Sequence, residues 1–144
     1  DRSMIIGGVQ ISHTKGLLGH SDADVLVHAV MDAILGALAL GDIGQHFPDT
    51  DSEFHGANSL ELLGHVRSLA SEKGFACTNL DSIIIAEKPK MDPHIEKMRI
   101  NLASALKITA EQVSIKATTT ERLGFIGREE GIAAQAVVLL NYIN

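Results

Sequence analysis

The sequence predicts an α/β fold in one domain, a mixed four-stranded sheet with three helices on one face. Three observations carry that expectation. Apolar residues recur at helical spacing over roughly residues 22–40, 59–73 and 94–106, and four short β-branched or apolar runs flank these stretches. Two of the runs, Ile83–Ile85 and Val137–Leu140, are apolar without alternation, as in strands covered on both faces. With 144 residues, 45% of them hydrophobic, the chain is long enough to bury one real core.

The first run, Met4–Ile11, is a strand interrupted by Gly7 and Gly8, which mark a turn or bulge. The first helix is expected from about Asp22 to Leu40. Ser21 caps it, Asp22 and Asp24 sit where the helix dipole favours negative charge, and Gly41 suits the left-handed residue that closes it. Asp24, His28 and Asp32 are four apart and share one face, a polar stripe among Val25, Leu26, Val27, Val30, Ile34, Leu35 and Leu38. Buried acids and an imidazole need partners. His28 therefore has two readings: a structural hydrogen bond to Asp24 or Asp32, or a metal ligand oriented by such a carboxylate. Spacing alone favours the structural one.

Asp42–Asp51 is an acidic, turn-rich loop of the kind that binds something. Asp49 and Asp51 could open a calcium loop, but Leu60 stands where its glutamate belongs, so contact with a sugar hydroxyl suits the loop better. A second helix runs from about Ser59 to Lys73, with Asn58 and Glu61 as a capping box, Leu60, Leu63, Val66 and Ala70 inward, and Gly74 as its stop. The second strand is Leu80–Ala86. Asp92 and Pro93 open a third helix, His94–Leu106, burying Ile95, Met98, Leu102 and Ala105. A turn at Thr109–Gln112 leads to a strand at Val113–Thr118, and the last strand is Ile132–Leu140. Three helices on one face leave the other bare. Its apolar strands then call for a homo-oligomer packed sheet to sheet.

Composition excludes several classes. One cysteine, Cys77, forms no internal disulfide and reads as inert packing. No apolar run approaches the roughly 20 residues that span a bilayer, and the first residues lack the pattern of a secretory signal. The expectation is a cytoplasmic protein, with a plastid-type leader left open. A net charge of −6 argues against general nucleic-acid binding. Residues 1–51 hold seven acids against Arg2 and Lys15, whereas residues 86–128 hold eight bases against five acids. An acidic half and a basic segment together suit a metal-assisted phosphate ligand, although charge alone favours ordinary solvated faces.

Chemistry-bearing groups concentrate in Asp42–Asp51, Ala86–Asp92 and Ala117–Arg128. Consecutive threonines offer hydroxyls and backbone N–H groups to phosphate oxygens. Glu121 beside them is unfavourable next to phosphate unless a cation such as Mg²⁺ lies between. No Walker loop and no serine or cysteine nucleophile motif is present, so metal-assisted phosphoryl transfer is the chemistry to test first.

HSDADVLVHAVMDAILGALALGDIG, FPDTD, AEKPKMDPH and KATTTERLGF, in this order, resemble the 2-C-methyl-D-erythritol 2,4-cyclodiphosphate synthases of non-mevalonate isoprenoid synthesis, over essentially the whole chain. The resemblance implies a homotrimeric α/β enzyme, a phosphorus-oxygen lyase, with active sites between subunits. Its reaction converts 4-diphosphocytidyl-2-C-methyl-D-erythritol 2-phosphate to the cyclic diphosphate and releases CMP. It implies His28 as a zinc ligand, Glu121 on a second ion, Mg²⁺ or Mn²⁺, and His20 and Thr119 as catalytic groups. Ser21 would contact the erythritol, Asp42, Ile43 and Gly44 the ribose, and Ala86, Lys90, Met91 and Asp92 the cytosine. Phe47, Pro48, Asp49, Thr50 and Asp51 match the substrate loop, and Ala117, Thr118, Thr120, Phe125 and Arg128 the remaining contacts. The family's Asp-x-His zinc pair, expected on a strand ahead of MIIGGV, has no counterpart in this sequence, where only Asp1, Arg2 and Ser3 precede it. The competing expectation is a non-catalytic nucleotide or isoprenoid diphosphate binding module of the same fold.

Overall fold

Two successive glycines decide the N-terminal element. In the computed structural model, which describes residues 2–13, 23–48 and 58–143, Gly7 and Gly8 are both left-handed, with φ of +59° and +74°. Such a pair makes a two-residue turn whose twist matches antiparallel strands, so the run folds back on itself. Strand β1 (Arg2–Ile6) pairs with β2 (Val9–His13), placing Ile6 opposite Val9. The hairpin is a sheet of its own. The expected single four-stranded sheet is therefore replaced by this pair and a three-stranded mixed sheet.

Helix α1 (Val25–Ala37) is shorter than expected at both ends. At its start the cap is Asp24, whose side chain accepts from Val27 N; Ser21 lies outside the described residues. At its end Ala39 turns left-handed, Ala39 N donates to Gly36 O and Leu40 N to Leu35 O, a Schellman closure that stops the helix before Gly41. A single helical turn, α2 (Ile43–His46), forms inside the loop expected after Gly41. Helix α3 (Ser59–Glu72) is capped by Asn58, which accepts from Leu60 N, and left-handed Gly74 follows it. Strand β3 (Phe75–Ile85) begins five residues earlier than expected because its partner pairs along its whole length, from Phe75 opposite Tyr142 to Ile85 opposite Ala133.

A 3₁₀ turn at Asp92–His94 precedes α4 (Ile95–Leu106); Asp92 lies in that turn and makes no side-chain cap. After a 3₁₀ turn at Ala110–Gln112 come β4 (Val113–Thr118), the short helix α5 (Gly124–Gly127) and β5 (Ala133–Tyr142). The sheet order is β4-β3-β5, with β4 parallel and β5 antiparallel to β3.

Helices α1, α3 and α4 cover one face of this sheet, α1 chiefly over β5 and α4 over β4. Leu26, Val30, Met31 and Ile34 of α1 share a core with Leu63 and Val66 of α3, Met98 and Leu102 of α4, and Leu80, Ile84 and Ile115 of the sheet. The hairpin buries Met4, Ile6, Val9 and Ile11 in the same core. Its tip fits closely: a Cβ at Gly7 would meet Met98 at 2.7 Å, and Asn101 Nδ2 donates to Gly7 O at 3.0 Å.

Among the described residues nothing covers the opposite sheet face, as the strand pattern implied. Val137 is 71% exposed and Leu139 57% exposed, while their neighbours Ala136, Val138 and Leu140 are half-buried toward the helices. The uninterrupted apolar run of β5 thus does not mean burial on both faces within one protomer. On this face Lys116 Nζ pairs with Asp81 at 2.6 Å and holds the Asp81 carboxyl below its usual range. An open groove of about 670 Å³ is lined by Ala29 and Asp32 of α1 and by Asp81, Ile83, Lys116 and Val137 of the sheet, among others.

Candidate active site

The C-terminal ends of the parallel strands β3 and β4 gather one set of expected site residues. Ala86 N donates to Thr118 O at 3.0 Å, carrying the ladder one bond past both strands. Thr120–Leu123 then forms a tight turn, closed by Leu123 N to Thr120 O at 3.1 Å. Its central residues, Glu121 (φ +53°) and Arg122 (φ +66°), are both left-handed, the type I′ geometry usually left to glycine or asparagine. Neither residue favours that backbone. Nearby side chains hold it. Thr120 N donates to Glu87 Oε2 at 2.9 Å, Glu121 N to Thr119 Oγ1 at 3.1 Å, and Arg122 N to Glu87 Oε1 at 3.2 Å.

This geometry corrects one expectation about the threonine run. Its amides from Thr120 to Arg122 are spent inside the turn, so they are not a phosphate cradle. Thr120 Oγ1 donates to Leu123 O at 2.7 Å and Thr118 Oγ1 to Thr119 O at 3.2 Å. What the turn turns outward is the Glu121 carboxylate and the exposed Thr119. Ala117, Phe125 and Arg128 are also exposed. Arg128 Nε pairs with Glu130 at 2.9 Å, which pushes the guanidinium pKa up. Across the site, Lys90 and Asp92 are exposed, but Met91 is only 4% exposed and packs in the core, so its side chain is not a ligand contact. Ala86 is buried as well, and the Lys88–Pro89 bond between them is cis.

A second set surrounds α1. His28 is half-buried, and its Nε2 lies 3.1 Å from Oγ of Ser59, a fully buried residue at the start of α3. Asp32 Oδ1 accepts from Ile43 N at 2.9 Å, and Asp42 Oδ1 accepts from Gln45 N at 3.1 Å, so both carboxylates build the α2 turn. Asp42 and Gly44 are exposed at that turn, and Ile43 is half-buried. His46 Nε2 meets Leu40 O at 2.8 Å, and Phe47 sits between the rings of His46 and His65, each 6.4 Å away. Pro48 follows, half-buried. His20, Ser21, Asp49, Thr50 and Asp51 lie outside the described residues.

Two of these arrangements were not legible beforehand. Ser59 read only as a helix start, and nothing in the sequence singled out Glu87. Asp24 was expected on a polar stripe, whereas its fully buried carboxylate accepts from Gly7 N (2.8 Å), Gly8 N (2.7 Å) and Val27 N (3.1 Å). Burial raises the Cys77 pKa, in keeping with packing rather than reactivity.

The metal sites differ in how well the residues fit. Zinc takes three protein ligands or more, yet among the described residues no group of three histidines, cysteines or acids could hold a metal. His28 by itself does not make a zinc site. A single exposed carboxylate such as Glu121 does suit Mg²⁺ or Mn²⁺, because Mg²⁺ is commonly held by one or two carboxylates together with substrate phosphates.

The YgbB family model matches residues 1–141. The 2-C-methyl-D-erythritol 2,4-cyclodiphosphate synthase of Agathobacter rectalis is 62% identical over 139 residues, 96% of this chain and 78% of that protein. The synthase of the same name from Clostridioides difficile is 61% identical over 97% of this chain and 87% of its own length. Among solved structures, the bifunctional IspDF of Campylobacter jejuni aligns with 99% of this chain at a TM-score of 0.94 and 47% identity, and the chain spans 39% of that longer protein. IspF of Plasmodium falciparum, solved as a CDP complex, aligns at a TM-score of 0.87 and 35% identity, over 99% of this chain and 85% of that one.

Proposed function

The chain belongs to the YgbB family, its activity is that of a 2-C-methyl-D-erythritol 2,4-cyclodiphosphate synthase, and from that premise we propose how its own residues divide the work. The enzyme is of the lyase type and serves isoprenoid biosynthesis. Its substrate is 4-diphosphocytidyl-2-C-methyl-D-erythritol 2-phosphate. The substrate's 2-phosphate oxygen attacks the β-phosphorus, the bond from that phosphorus to the bridging oxygen breaks, and CMP leaves with the bridging oxygen. The nucleophile belongs to the substrate, so the protein positions groups and offsets charge.

The observation that carries this reading is the turn at the ends of β3 and β4, which faces Thr119 and Glu121 outward beside the Ala86–Asp92 loop. Thr119 steadies the charge that develops at phosphorus, and Glu121 holds Mg²⁺ or Mn²⁺ against the diphosphate. That ion, when bound, neutralises phosphate oxygens and lowers the barrier to their approach. Lys90 and Asp92, with the backbone of Ala86 and Met91, enclose the cytosine, while Asp42 to Gly44 meet the ribose. His20 is proposed to share the transition-state charge with Thr119, Ser21 to contact the erythritol, and residues 47–51 to serve as the substrate loop. His28 is proposed as one ligand of a zinc site whose remaining ligands are not among the described residues, and no step is routed through it. The phosphate-side turn and the α1 cluster are built on different elements, and the sheet has a bare apolar face. Both features favour a homotrimer with each site shared between neighbouring subunits.

CMP release followed by ³¹P NMR with added Mg²⁺ or Mn²⁺ tests the reading. Glu121→Gln should lower the rate by about 10²-fold or more, the scale of losing one transition-state charge contact. His28→Ala should abolish any stimulation by added Zn²⁺. Binding of CDP with no CMP release under any metal condition would instead favour the non-catalytic module.

A further inference from the structure

We propose that Glu87 is a positioning residue for this reaction: it clamps the Thr120–Leu123 turn so that Glu121 and Thr119 face the diphosphate. The inference rests on the role given to Glu121 above. Its observations are separate. Glu121 and Arg122 adopt consecutive left-handed conformations, which side chains other than glycine, asparagine and aspartate rarely hold without support. Support comes from the end of a neighbouring strand. Glu87 stands two residues past Ile85 of β3, and its two oxygens take the amides on either side of Glu121, Thr120 N at 2.9 Å and Arg122 N at 3.2 Å.

The chemistry of that choice is specific. A carboxylate close to a phosphate site weakens phosphate binding unless its charge is engaged elsewhere, and here both oxygens point at backbone donors. The same two bonds withdraw amides that would otherwise compete for phosphate oxygens. The turn therefore offers phosphate a hydroxyl and a cation-holding carboxylate rather than bare N–H groups. Because Glu87 directly follows Ala86, occupancy of the Ala86–Asp92 loop and the attitude of Glu121 share one anchor.

The test uses CDP as the probe, with and without Mn²⁺, on the wild-type chain, Glu87→Ala, Glu87→Gln and Glu121→Gln. Glutamine keeps one acceptor and sets an NH₂ against the other amide, so it should lose one arm and still fold. Calorimetry gives each variant's CDP affinity without cation as the baseline against which its own Mn²⁺ effect is taken. The enhancement by Mn²⁺ should fall about tenfold or more in Glu87→Ala and by an intermediate amount in Glu87→Gln, the scale typical when a group orienting a metal ligand is lost. Amide hydrogen exchange at Thr120 and Arg122 should quicken in the same order. Faster exchange with an undiminished Mn²⁺ effect would overturn the proposal, leaving Glu87 merely structural, and unchanged exchange would overturn it too. Glu121→Gln separates the two claims. If it leaves the Mn²⁺ effect intact, Glu121 does not hold the cation and both readings fall; if it removes the effect and Glu87→Ala does not, only the Glu87 proposal falls.

Discussion

Asp24 has the strongest claim to a measurable effect on stability. A carboxylate with no exposed surface persists only where donors compensate its desolvation, and three backbone amides do so here. Asp24→Ala leaves those amides unsatisfied inside the junction of hairpin and α1. The expected loss is about 3 kcal/mol or more, since each stranded buried donor costs on the order of 1–3 kcal/mol. Equilibrium urea unfolding checks it, and Asp24→Asn should fall between the two. The residue types of this junction were readable from the sequence, because the acid stood at a helix start and the glycines stood in a strand. Their pairing was not, since Gly7 lies 17 residues upstream and spacing along a helix says nothing about a partner on another element. His28 repeats the lesson: its hydroxyl partner, Ser59, lies 31 residues away.

At the scale of elements, the Thr120–Leu123 turn depends on a close approach by α5. A Cβ at Gly127 would collide with the backbone of Arg122. Gly127→Ala should therefore push the turn and Glu121 out of place and lower kcat at saturating substrate and cation by about 10²-fold, the cost associated with misplacing a reacting group by about 1 Å. The melting temperature, measured alongside, should fall far less than the rate. The helices themselves were legible in their 3.6-residue periodicity, and α1, α3 and α4 lie where it placed them. Their ends were less so. Asp24 caps α1 where Ser21 was expected, because burial against Gly7 and Gly8 rewards the deeper acid, and Ala39 closes it before Gly41 through bonds to Gly36 and Leu35. The hairpin was half-legible: Gly7 and Gly8 announced a turn, but only the left-handed backbone at both shows that the second half of the run leaves the first as its own partner.

For the whole molecule, the bare sheet face sets the question of assembly. Val137 and Leu139 stand exposed on it beside the Asp81–Lys116 pair. If three copies bury this face, Val137→Asp should leave the protomer folded, since the side chain is exposed within it, and reduce the mass seen by light scattering toward the 15.4 kDa of one chain. CMP release should fall with the mass, because each site, if shared as proposed, would lose the residues its neighbour supplies. An unchanged mass would remove the sheet face as the interface.

The sequence by itself determined the layers, three amphipathic helices over a sheet with an apolar second face, because periodicity of burial is written into residue order. It also determined the family, because four motifs in fixed order name a chemistry more surely than any one of them. Tertiary structure alone decided which groups are spent and which are offered. Glu87, Asp24 and Ser59 take partners that folding brings near from 16 to 35 residues away, and those bonds decide that Glu121 faces outward while the amides around it face in. Residue order states which donors and acceptors exist, and only packing pairs them.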